Sequence, residues 1–250
     1  MKLRRKRYAL IAAAALLAGT ATTVDLVVEH AARSRIAAAV ACRLQPSGRV
    51  SADLTSAFAG LRAVTGNLGG AHISAAGVRR DGTVVEVAAD LRDVSTDGTT
   101  GGGTATATIT FAELRKRIAA RDDGASDDPT AGLPDGLTLD ADDGALVLTG
   151  NAGPLRLPVT VHTRVTTGQD SVTVTPTTVS VLGQEIAVDR LAAVPGGGDL
   201  ANRLGPRTVP LPELPGGVRL TGARADDRGL VLALDIARGA AGADRAAACT

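Results

Sequence analysis

The segment LRLPVTVHTRV, residues 155–165, leaves the chain few options. Leu155, Leu157, Val159 and Val161 fall on one side of an extended backbone, and Arg156, Thr160, His162 and Arg164 fall on the other. A period of two belongs to a strand with one buried face, because successive side chains leave a pleated backbone on opposite sides. DSVTVTP and TTVSVL continue the alternation, with turns expected at Gly168 and at Pro176–Thr177. In GTVVEVAADLRDVS, Val85, Val87, Ala89 and Leu91 alternate with polar or charged residues such as Glu86, Asp90 and Arg92. From Thr104 to Thr110, Thr alternates with Ala or Ile. Short turns rather than helices separate most of these runs, so the strands are expected to pair antiparallel.

Two stretches nearly repeat each other, LPDGLTLDADDGALVLTG (133–150) and LPGGVRLTGARADDRGLVLALD (214–235). Each reads as a hairpin with one apolar face. A Pro leads into it, where a missing donor does least harm, and an Asp- and Gly-bearing turn closes it. Two similar half-units of one sheet, or two unrelated hairpins with common turn chemistry, fit this pattern equally well.

Helical periodicity appears in fewer places. Val28, Ala32, Ile36, Val40 and Leu44 recur every four residues, Glu29 stands four before Arg33, and Pro46 and Gly48 end a helix expected over Val24–Leu44. A second helix is expected over Asp53–Val64, with Leu54, Phe58, Leu61 and Val64 on one stripe. Thr110 and Glu113 have the spacing of a capping box ahead of Phe111, Leu114 and Ile118. RDDGASDDPTAG reads as an acidic loop, and short helical pieces are expected over 189–194 and 199–204. The fold class that follows is α+β, a curved antiparallel sheet packed around an N-terminal helix.

The first residues carry a different message. Lys2, Arg4, Arg5, Lys6 and Arg7 precede an apolar run from Tyr8 to Ala18, and small residues follow at Gly19 and Ala21. This is the layout of a secretory signal over residues 1–21, with an uncleaved membrane anchor as the alternative. Export to the cell envelope, secreted or tethered by residues 8–24, is therefore expected. Losing residues 1–21 removes five cations and no acid, so the formal charge moves from +1 to −4. A mildly acidic chain whose remaining aromatics are Phe58 and Phe111 has neither the field nor the stacking surfaces for nucleic acid.

Two cysteines, Cys42 and Cys249, make a disulfide the expected state in an exported protein. It would tie the end of the first helix to the C-terminal tail, 238–250. An intermolecular bridge or a reactive Cys42 are the alternatives.

Catalytic patterns do not emerge. His30, His72 and His162 lack the spacing of metal ligands, and HExxH, CxxC, GxSxG and GxxxxGK[ST] do not occur. DADDGALVLTGN places Asn151 where a calcium loop needs a bidentate Glu. No metal, cofactor or catalytic residue is expected. What remains is apolar surface. Small inward residues such as Ala89, Ala105 and Ala107, beside larger aliphatics, could floor a groove for acyl chains, or the helix could simply fill the sheet. Candidate lipid contacts are Phe58 and Leu61, with Arg156, Arg164 and Arg219 at strand ends for a phosphate head group. A structural envelope protein without a ligand is the competing reading.

Several segments together resemble the LmeA-like phospholipid-binding family, a former domain of unknown function from exported actinobacterial proteins. They are VDLVVEHAARSRIAAAV, GAHISAAGVRRDGTVVEVAADLRDV, GGTATATITFAELRKRI and VPLPELPGGVRLTGARADDRGLVLAL. The chain departs from the family where members often carry a Gly-Phe-Pro-Phe-like segment. Here GRVSADLTSAFAGL retains only Phe58. The resemblance implies one lipid-binding domain over 24–237 and a rolled sheet comparable with tubular lipid-binding proteins. It further implies a non-enzymatic, phospholipid-binding role in envelope biogenesis, with contact to a membrane surface.

Overall fold

The computed structural model describes residues 28–56, 62, 65–80, 82–125, 137–152, 156–191, 193, 198, 201, 204–211 and 213–239. Phe58, Leu61 and Cys249, and the leader and tail readings, lie outside them.

Among the described residues, twelve antiparallel strands form two sheets. Sheet A has the order β1 (Val50–Leu54), β2 (Asn67–Arg80), β3 (Thr83–Ser95), β4 (Gly103–Thr110), β12 (Gly229–Ile236), β11 (Val218–Ala225). Sheet B has the order β10 (Arg207–Pro210), β8 (Ser171–Val181), β7 (Leu157–Thr167), β6 (Ala145–Ala152), β5 (Thr138–Asp142), with β9 (Gln184–Ala187) also on β8. Neither sheet closes into a barrel. The helices are α1 (28–44), α2 (Phe111–Ala125) and α3 (Val188–Leu191). The antiparallel α+β architecture expected from the alternation is present, divided between two sheets.

The two Leu-Pro segments are β5–β6 and β11–β12, and they do not share a sheet. Each hairpin forms the rim of its own sheet, with its first strand outermost. They meet at their turns, where the Ala225 amide donates to the Gly144 carbonyl at 2.9 Å. Leu139, Leu146 and Ala225 are buried together beneath that contact. The similar hairpins are therefore the seam between the sheets. Asp143 (φ 46°) and Gly144 (φ 80°) make the tight turn of the first, with the positive φ that twist-matched two-residue loops demand.

α2 caps the seam. The Glu113 backbone N–H donates to Thr110 Oγ1 at 3.3 Å, so half of the expected capping box forms. The other half does not, because the Glu113 carboxylate instead accepts from Val84 N at 3.3 Å and ties α2 to β3. Phe111, Leu114 and Ile118 pack on Leu139 and Leu146 of sheet B. α2 continues to Ala125, into the segment expected to be loop.

Two further expectations are corrected. The helix expected from Asp53 does not start there, because Val50–Leu54 pairs with β2. Ala52 and Leu54 face the core and Asp53 does not, so alternation overrides the i, i+4 stripe. Pro176–Thr177 is not a turn. β8 runs through it with a bulge, His162 opposing Thr178 and Thr163 opposing Pro176. A bulge tolerates a residue without an N–H, and Thr177 Oγ1 donates to His162 O at 3.1 Å.

Candidate functional site

Cross-strand register sorts the residues of sheet A into two unlike faces. One face carries the row Leu54, Ala71, Leu91, Gly103, Ile236, Val218 across all six strands. The next row is Ala52, Ile73, Ala89, Ala105, Leu234, Leu220. The third is Val50, Ala75, Val87, Ala107, Leu232, Ala223. Every member is aliphatic or glycine. The reverse face carries Asp53, His72, Asp90, Thr104, Asp235, Arg219 in one row. A bulge between Leu220 and Gly222 lets β11 keep its aliphatic residues on the inner side to its end.

The aliphatic face has relief. β4 contributes only Gly103, Ala105 and Ala107 to these rows, beside taller Leu232, Leu234 and Ile236 on β12. Gly103 cannot be larger, since a Cβ there would stand 2.2 Å from the Asp90 carbonyl oxygen. The small residues make a low floor along the middle of the sheet.

Cover varies along the face. At one side Leu54, Leu68, Ala71 and Val94 are buried, with Ala32 and Ile36 of α1 packed on them. At the other, Leu230 and Leu232 are buried with Val172 of sheet B. Between them Ile73, Val87, Ala89, Leu234 and Ile236 are only half-buried. Along 28–44 the stripe Val28, Ala32, Ile36, Val40 and Leu44 is likewise half-buried, and no residue of the helix is fully buried. α1 thus rests on the sheet without being sunk into it. The strip between α1 and sheet B is apolar, small-residue floored and incompletely covered among the described residues. It can hold hydrocarbon by area alone, with no directional group required.

Charges stand away from this strip. On the reverse face His72 Nδ1 and Asp90 Oδ1 are 2.7 Å apart, and Arg219 Nη2 and Asp235 Oδ2 are 3.7 Å apart. Arg33 joins Glu29 on α1 and lies 3.7 Å from Asp53 of the edge strand β1. Of the three arginines expected at a head group, Arg219 stands on the reverse face of sheet A and Arg164 is exposed on β7 beside Thr175. Arg156 is exposed in the turn before β7. The structure does not bring them together. The expected inward positions Ala89, Ala105 and Ala107 do come together, as neighbours in two adjacent rows.

His30 is exposed, and His162 lies half-buried opposite Thr178. No cluster of metal-ligating side chains occurs among the described residues. No helix among them is long and apolar enough to cross a membrane. Cys42, exposed near the end of α1, is not a free thiol. At the β11–β12 turn, burial raises the Asp226 carboxyl, but amides of Arg228 and Gly229 and the Arg228 guanidinium outweigh it and hold the group below its ordinary range.

No curated protein and no solved structure matches the chain. The family model described as LmeA-like phospholipid-binding matches residues 23–235. That span takes in α1, both sheets and the aliphatic strip, and the chain belongs to the LmeA-like phospholipid-binding family.

Proposed function

We propose that the protein is an exported, non-enzymatic phospholipid carrier of the cell envelope that lays acyl chains along the aliphatic strip of sheet A beneath α1. The observation that carries this is the three rows of aliphatic residues and Gly103 that run across the sheet, half-covered at their centre. Each Å² of acyl surface removed from water contributes roughly 25 cal/mol, so a chain laid along several strands is held without a specific contact. Family membership supports phospholipid as the ligand. The cationic and apolar residues 2–18 support export, cleaved or tethered. A Cys42–Cys249 disulfide accords with the chain's two cysteines and with the absence of a free thiol among the described residues.

The test is native mass spectrometry of protein purified from an exporting host, followed by solvent extraction. Phospholipid present at a fixed ratio and released on denaturation is the expected result. Protein that is empty, and remains empty after incubation with vesicles, overturns the carrier reading.

A further inference from the structure

Leu182 is the large hydrophobic side chain that stands exposed among the described residues, at 69 %. It occupies the first position of the two-residue turn between β8 and β9, closed by the Val181–Gln184 pair, with φ 51°, and Gly183 follows at φ 81°. Such a turn takes Asn or Asp before Gly at little cost, whereas a bulky Leu in left-handed backbone is strained. Leu182 therefore pays twice in the free protein, once in backbone strain and once in hydration of its side chain. A residue that is unfavourable on both counts points to something outside the folded chain.

Its surroundings indicate what that is. Val181 pairs with Val159, so the residues just before β7 lie at the same end of sheet B. There Arg156 is exposed and also holds a left-handed backbone, φ 48°. Glu185 is exposed on the other side of the turn, so among the described residues one cation and one anion flank the apolar tip. That balance fits insertion into the headgroup boundary of a bilayer better than adhesion to a charged surface, and Arg156 is long enough to keep its guanidinium at phosphate level while Leu182 enters hydrocarbon.

We infer that the β8–β9 tip docks the protein on a phospholipid bilayer, with Leu182 as the inserted residue and Arg156 beside it. The inference rests on the phospholipid reading above, since a carrier whose ligand resides in bilayers must meet one.

The chain contains no tryptophan, so L182W places a single reporter at the tip. With the full chain and vesicles of equimolar phosphatidylethanolamine and phosphatidylglycerol, its emission is expected to shift to the blue and to be quenched by acyl-brominated phospholipid, and to do so at low and high salt alike. An unchanged emission overturns docking. L182N supplies a second test, because it gives the turn its preferred Asn-Gly pair. It is expected to raise Tm while lowering the rate of lipid transfer between vesicles about tenfold, with the lipid held per protein unchanged. Transfer at the wild-type rate overturns docking. If neither protein carries lipid, the carrier reading fails, and the L182W emission still decides whether the tip meets a bilayer.

Discussion

Thr83 and Asp226 show how single polar groups weigh on this fold. Thr83 opens β3 at 3 % exposure, and its Oγ1 has no hydrogen-bond partner among the described residues. A buried hydroxyl without a partner keeps its desolvation cost, so T83V is expected to stabilise the protein by about 1 kcal/mol, read as a rise in the denaturation midpoint. Asp226 does the opposite. Its folded carboxyl lies below its value in the unfolded chain, 3.8, so the stabilisation it gives is present above that pH and is lost as pH falls through the folded value. D226N keeps an acceptor oxygen and removes the charge. It is expected to cost less than about 1 kcal/mol at neutral pH, because its partner Arg228 is exposed to screening solvent, and the difference from wild type should close in acid. Neither residue announces itself in the sequence. Thr83 reads as one more strand threonine, and Asp226 as one acid of a hairpin turn, because what distinguishes them is supplied by neighbours distant in the chain or by the closing of that turn.

At the scale of elements, the alternation was the most legible feature. β3, β4 and β7 stand where the period of two places them, and Val87, Ala89, Ala105 and Ala107 share one face, as their alternation predicts. The Asp53–Val64 stripe misled at its start because Leu54 satisfies both periods. Pairing of Leu54 with Ala71, in contact with Leu68 and Val94, decides for the strand. Pro176 misled because a proline in sequence cannot show whether its neighbours turn or bulge. The floor of the strip gives two element-scale tests. G103A forces a Cβ against the Asp90 carbonyl and is expected to cost about 1–3 kcal/mol by chemical denaturation. A89F raises the half-buried floor beside Ala105 and is expected to cut the phospholipid bound per protein several-fold with little change in Tm, since partly covered surface accepts added volume without overpacking.

At the scale of the whole molecule, the repeated Leu-Pro hairpins acquire a purpose that their sequence could not disclose. Each ends its sheet, and their turns are joined by the Ala225–Gly144 hydrogen bond, so one local motif used twice makes the junction of the sheets. Sheet B and α2 close one side of sheet A, α1 leans on the other, and the aliphatic strip lies between them. Sequence periodicity identified the strip's residues on β3 and β4, but the strip's continuity across the sheet depends on register, which only pairing across distant segments sets. Acyl chains are proposed to lie on that strip. A phospholipid with a photoactivatable diazirine in its acyl chain, bound to the protein, irradiated and followed by peptide mapping, tests it most directly. Adducts are expected on inward-facing residues, Ile73 and Ala75 of β2, Val87 and Ala89 of β3, Ala105 and Ala107 of β4, and Leu232, Leu234 and Ile236 of β12. Adducts confined to sheet B, or to the reverse face of sheet A around His72 and Asp235, would contradict it.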